Sequence, residues 1–290
     1  MTTTTPTTRP APTTAARAAR LPSPLALGLW RTQHELRLFV RERDAVVFVF
    51  AYPVVMLAIF ATVFGGPGEV YGPPGDEVPF SQYFLPGMVA TGVVLTSFQS
   101  LAMSIAVERD EGGLKRLRGT PLPVSSYVLG KVGQVLVVSL AQTALLLAVA
   151  ALVYDVPLPD DAGRWLTFAW VWALGTAAGA VCGVAFSSVP RTGRSAQAVV
   201  TPVVLVLQFV SGVFFMFHVL PGWMQTVASF FPLKWLAQGM RSVFLPDAAR
   251  AVEPSGSWQH GTTALVLVAY LVVGLVVAAR TFRWRRHDDG

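Results

Sequence analysis

Six stretches of this 290-residue chain run for 19 or more residues without a charged side chain: 45–64, 84–106, 132–154, 165–189, 195–217 and 261–279. No soluble fold needs so many. A helix that crosses a bilayer needs roughly 20 apolar residues, and each stretch supplies them. Only 13% of the residues are charged, against about 25% in ordinary soluble domains. That composition cannot coat a globule with polar groups, and it excludes disorder as the main state. The fifth stretch is part of a longer charge-free run, 195–233, of 39 residues. As one helix it would reach about 58 Å, nearly twice a hydrocarbon core of about 30 Å. Its first part is therefore expected to span, with Pro221-Gly222 breaking the helix beyond it.

Charge orients the spans. Eighteen of the 22 lysines and arginines fall in residues 1–44, 107–131, 190–195 and 280–290, and four in the alternate connections. Basic loops stay inside, so both termini are expected in the cytoplasm. The net charge of +6 then marks inner loops, with no nucleic acid as partner. Nineteen of the basic residues are arginine, which suggests a GC-rich bacterium and hence a bacterial inner membrane. Residues 1–24 are rich in Thr, Pro, Ala and Arg and read as a cytoplasmic tail, as do residues 286–290; the domain is 25–285. Before the first span, Leu29, Leu36 and Val40 recur at helical spacing, with Glu35, Arg37, Arg41 and Glu42 on other faces. This reads as an amphipathic helix on the inner surface; a charged stem that stops translocation is the plainer alternative. The sum is an all-α integral membrane protein. It has six spans, a surface helix, a short inner helix between spans two and three, and a re-entrant or interfacial segment before the last span.

Several chemistries are missing. No phosphate-cradling G-x-x-x-x-G-K-[ST] occurs, since Gly130-Lys131 runs into Val132. His34, His218, His260 and His287 are isolated, and Cys182 is the one cysteine, so no metal cluster or intrachain disulfide is expected. None of the 16 acidic residues lies within the six stretches. Proton-coupled carriers place ionisable groups at membrane depth. That weighs against the alternative of an ATP-independent secondary transporter or channel, and the lack of catalytic clusters weighs against an intramembrane enzyme.

The segment 108–131 is too long for a tight turn. Gly112-Gly113 ends the second span. Residues 114–118 suffice for one or two helical turns, with Leu114 and Leu117 among Lys115, Arg116 and Arg118, before Pro121 and Pro123. Such a knob suits a groove on a cytosolic partner, or serves only as a positive anchor. Elsewhere Gly175, Gly179 and Gly183 form a small-residue ladder, which packs helices within a chain or between two. Gln99, Gln134, Gln142, Gln197 and Gln208 lie within or near spans and read mainly as interhelical bonds. Lys234, Gln238 and Arg241 share one face of a short helix expected in the outer interface. Trp165, Trp170, Trp172, Trp223 and Trp258 read as belt residues.

The run ERDEGGLKRLRGTPL, with Glu108, Arg109, Gly113, Leu114, Lys115, Leu117, Thr120, Pro121 and Leu122, resembles the signature of ABC type-2 export permeases. These include daunorubicin-resistance-type and polysaccharide exporters. It is one residue longer between Arg109 and Leu114. A second run, residues 220–244, resembles the family's outer segment, with Phe231 where many members have Asn. The resemblance covers residues 25–285. It implies a permease half of an ATP-driven exporter of a drug, lipid or lipid-linked glycan. This chain would hold no cofactor; ATP and Mg would bind a cytosolic ABC-type ATPase subunit, and a second permease chain would complete a homodimer. Residues 114–120 would be the coupling helix. ATPase docking would fall to Glu108, Leu114, Lys115, Leu117, Arg118, Thr120 and Pro121, with the leucines as buried anchors. Glu108 would pair with Arg37 or Arg41 of the surface helix. Gln99 and Gln208 would stand near the substrate path.

Overall fold

A computed structural model describes residues 23–66, 69–120 and 122–281, with only the backbone at Arg118. The two expected tails lie outside the described residues except for Ser23 and Pro24. Helix α1 (Pro24–Arg41) starts at Ser23, whose hydroxyl accepts from the Ala26 amide, with Pro24 pre-set for the first turn. Helix α2 (Arg43–Phe64) is the first span and carries Pro53 inside it. A two-stranded antiparallel hairpin follows, β1 (Val70–Tyr71) against β2 (Val78–Pro79), with Val70 opposite Pro79.

The second span is the axis of the molecule. It is one 31-residue helical run, Phe80–Asp110, made of α3 (Phe80–Val94), a π-helical turn (Leu95–Gln99) and α4 (Ser100–Asp110). At 1.5 Å per residue it reaches about 46 Å, so it overshoots the hydrocarbon core. The acids Glu108 and Asp110, beyond the charge-free stretch 84–106, belong to its last turn. A π turn leaves carbonyls without their usual amides. Here hydroxyls serve them: Thr96 donates to the carbonyls of Gly92 (2.8 Å) and Val93 (3.1 Å), and Ser97 to Val93.

Gly112, at φ +74°, turns the chain after α4. Helix α5 (Gly113–Arg118) follows, then α6 (Val124–Val153), α7 (Ala162–Phe186) and α8 (Gly193–Val210). Asp161 caps α7, and a Thr192–Ser195 capping box starts α8. The fifth span ends earlier than its composition suggests. It stops at Val210, because Gly212 adopts φ +70° and turns the chain before Pro221 is reached. Two short helices, α9 (Gly222–Ser229) and α10 (Pro232–Phe244), precede the last span, α11 (His260–Thr281).

Six helices are thus long and apolar enough to cross a membrane, and the chain is an all-α integral membrane protein. Around α3 pack α2, α6, α7 and α10; α11 lies along α7, α8 along α4, and α1 along α6. The glycine ladder serves this packing within one chain. A side chain at Gly175 would collide with Leu236, at Gly179 with Ser97, and at Gly183 it would come 2.7 Å from the Phe98 carbonyl. Helix α10, expected to lie on a surface, is buried inside the chain. All of its residues from Leu233 to Phe244 are buried, and Gln82 donates to its last carbonyl at 2.9 Å. Its 13 residues, about 20 Å, are too short to cross. Trp223 and Trp165 are exposed as belt residues would be, but Trp258 is buried against Val78, Leu245 and Ala249.

Candidate functional site

The last turn of α4 carries three consecutive charges, Glu108-Arg109-Asp110, and each faces a different neighbour. Successive helical residues diverge by about 100°, so one turn can fasten several elements. Arg109 is buried and donates to the carbonyls of Ser187 (2.8 Å) and Pro190 (2.7 Å) in the α7–α8 connection. Asp110 accepts from the Gly193 amide at 3.0 Å, at the first turn of α8, where a carboxylate also complements the helix dipole. Glu108 turns the other way, toward α6 and α1.

Glu108 meets Lys131 and Tyr127 of α6. The Lys131 ammonium forms an ion pair with it, and the Tyr127 hydroxyl donates to its second oxygen at 2.9 Å. Lys131 also donates to Glu35 of α1 at 2.8 Å, and Glu35 forms an ion pair with Arg31 one turn earlier. Arg31 closes the ring, 4.0 Å from Glu108. Two carboxylates and two cations balance. Balance is required here, because Lys131 and Glu35 are only 2% and 3% exposed, and an unpaired buried charge is costly. The expected partners Arg37 and Arg41 are not used. The face of α1 that meets α6 is the one bearing Gly28, Arg31, Thr32 and Glu35, against Leu129, Gly130 and Gly133. Arg37 and Arg41 point away and are exposed.

Helix α5 hangs directly from this junction. Leu114 is fully buried among Leu101, Ile105, Tyr127 and Val135, and Leu117 and Leu122 pack half-buried against the same cluster. The expectation that Leu114 anchors a partner is therefore corrected. It holds α5 to its own chain, because the Gly112 turn folds α5 back under α4 and α6. Outward lie Lys115 and Arg116 on α5 and Gly119 and Thr120 just after it. Thr120 caps the end of the helix through the Leu117 carbonyl, 2.6 Å away. The Arg118 side chain and Pro121 lie outside the described residues.

Gln99 is buried in the π turn, which packs against α8; Gln208 is buried on α8 and accepts from the Tyr52 hydroxyl of α2 at 3.2 Å. Both are inside this chain's own packing. Sequence reasoning missed Arg31, Glu35, Tyr127 and Lys131. The trace was there: Arg31 and Glu35 sit four apart on a helix, and Lys131 precedes an apolar run at the same membrane level as Glu108.

A second buried ionic group lies at the hairpin end. Arg241 of α10 grips Glu253, Nε to Oε1 at 2.6 Å and a guanidinium nitrogen to Oε2 at 3.3 Å. One turn before it on the same face, Gln238 accepts from Lys234 at 2.6 Å and donates to the carbonyls of Ser257 and Trp258, both at 3.3 Å. The Lys234 ammonium lies over the rings of Trp235 and Phe217. Burial pushes Lys234 down to about 8, while Glu253 resists that shift. The same carboxylate raises Arg241 despite burial.

The sequence of the ABC-2 type transporter family aligns with residues 29–245. The daunorubicin resistance ABC transporter permease protein DrrB1 of Streptomyces coeruleorubidus is 24% identical over 265 residues, 88% of this chain and 84% of that one. The inner membrane transport permease YadH of Escherichia coli K12 is 24% identical over 199 residues, 67% of this chain and 74% of its own length.

Proposed function

Because the chain belongs to the ABC-2 type transporter family and is the membrane subunit of an ABC transporter, we propose that it exports an amphiphile. The cargo is a drug, a lipid or a lipid-linked glycan. The drug reading, and with it efflux and antibiotic resistance, draws support from the daunorubicin resistance named for DrrB1. Export is driven by ATP and Mg bound to a separate cytosolic ATPase subunit, and two permease chains form the membrane half as a homodimer. Both termini face the cytoplasm of a bacterial cell, so α1, α5 and the junction stand on the inner side. Gln99 and Gln208 border the cargo's route.

The observation that carries this reading is the attachment of α5. A knob meant to transmit force must be free on one side and fixed on the other. Lys115, Arg116, Gly119 and Thr120 are exposed, while Leu114 is sunk among residues of α4 and α6. A displacement of α5 then reaches Glu108, Arg109 and Asp110 within one turn of α4. From there ion pairs and carbonyl contacts carry it to α1, α6 and the α7–α8 connection. Ion pairs in a low-dielectric setting are stiff, so the junction moves as a unit.

The test separates the two faces of α5. Lys115→Glu/Arg116→Glu is expected to weaken co-purification of the ATPase subunit at least tenfold, the equivalent of about 1.4 kcal/mol. Leu114→Ala is expected to keep ATPase assembly within a few-fold but to separate hydrolysis from transport. Full transport in both variants, or transport by this chain alone in liposomes without nucleotide, overturns the proposal.

A further inference from the structure

Arg37 and Arg41 are left over once the junction is assigned to Arg31. Both are exposed on α1, and among the described residues neither has a carboxylate within ion-pair reach. The face they occupy has a definite shape. At 100° per residue, Leu25, Leu29, Leu36 and Val40 fall within about 60° of the helix circumference, and Gln33, Arg37 and Arg41 within the next 100° or so. Leu25, Leu29 and Val40 are 60% or more exposed. A shallow, open depression of about 460 Å³ lies where the two stripes meet, lined among the described residues by Gln33, Leu36, Arg37, Val40 and Arg41. Its apolar floor and cationic rim are the complement of one kind of molecule, with an acyl chain at one end and a phosphate at the other.

We propose that this groove binds the phosphodiester headgroup of an anionic phospholipid from the leaflet in which α1 lies. Arg37 and Arg41, four residues apart, hold the phosphate, Gln33 donates to its oxygens, and the acyl chain lies over Leu36 and Val40. Guanidinium groups suit phosphate because their donors form a fixed fork. The opposite face of α1 is bound to Lys131 through Glu35, so the lipid is held against the element that feeds the junction. The inner leaflet is the source if the orientation proposed above holds. Binding itself needs no ATPase, so its failure and the failure of that reading are separable.

The experiment uses the full-length chain, purified and stripped of lipid. Native mass spectrometry counts retained phosphatidylglycerol and phosphatidylcholine, with inorganic phosphate as a competitor. The wild type is expected to retain phosphatidylglycerol preferentially, and less so at high salt. Arg37→Gln/Arg41→Gln is expected to lose that preference about 30-fold, roughly fivefold for each cation near an anionic surface. Arg37→Lys/Arg41→Lys keeps the charge and is expected to retain most of the preference, which guards against a variant that merely misfolds. Equal phosphatidylglycerol retention in wild type and the Gln variant overturns the proposal. So does complete displacement by inorganic phosphate, which would make this a free-anion site. A Gln variant that keeps its lipid preference but loses the ATPase subunit also overturns it, and assigns the face to the partner.

Discussion

Two carboxylates, Glu35 and Glu108, converge on the buried Lys131, and that convergence sets what its loss would do. Lys131→Met leaves Glu35 and Glu108 without their shared counter-ion. Removing one partner of a buried pair costs about 3–5 kcal/mol. Thermal unfolding of the purified chain should show a large drop in midpoint, and Glu35→Gln in the same chain should recover part of it. An unchanged midpoint would mean that the ring of charges is solvated and not structural. Lys234 gives the opposite sign. Its folded value of about 8 lies below the ordinary lysine value of 10.5. Between those values the unfolded chain holds more protons, so stability rises with pH through that window. Below about 8 the folded protein must carry the ammonium in a buried site, and the cost is constant. Lys234→Met should therefore be favoured over the wild type at pH 7, with the difference in midpoint shrinking toward pH 10. A difference that stays constant would show that the ammonium is not held against burial.

At the scale of elements, the second span and α7 are matched by small residues. Gly183 lies so close to the π turn that a β-carbon would sit 2.7 Å from the Phe98 carbonyl, which cannot yield as a side chain can. Gly183→Val should destabilise by about 1–3 kcal/mol or more through overpacking. Gly222→Val, with nothing within 4 Å of the added carbon, should be nearly neutral on that score. Equal midpoints for the two variants would mean that α7 can withdraw from the second span. Helix α1 shows a related logic. It presents a polar edge inward to α6 and an apolar edge outward. In water such an arrangement would be inverted; beside a bilayer, the outward apolar edge has lipid to meet.

For the whole molecule, the six helices alternate across the membrane, so the basic connections share one side. Reporter fusions at Asp76 and Gly290 should place these positions on opposite sides, with Gly290 in the cytoplasm. Gly290 on the same side as Asp76 would require a seventh crossing, and α10 could not supply it, since its 13 residues cover about 20 Å of the roughly 30 Å needed.

The spans were legible in the sequence because hydropathy over 20 residues is a local quantity, and so was the α5 region, because Gly112-Gly113 breaks a helix wherever it stands. Span ends were less so: Pro221 is a visible breaker, yet Gly212 ends the helix first, by a left-handed turn that many glycines could make and few do. Pairing was not legible at all. Arg31, Arg37 and Arg41 are chemically alike, and only the rotation of α1 against α6, set by close contact at Gly28, Gly130 and Gly133, selects Arg31 for Glu108. The same holds for Leu114, whose inward direction depends on how α5 folds back beneath α4 and α6. Which residues cross the membrane follows from the solvent each must face, which composition records. Which residues touch follows from the relative rotation of packed helices, and that exists only once the bundle has closed.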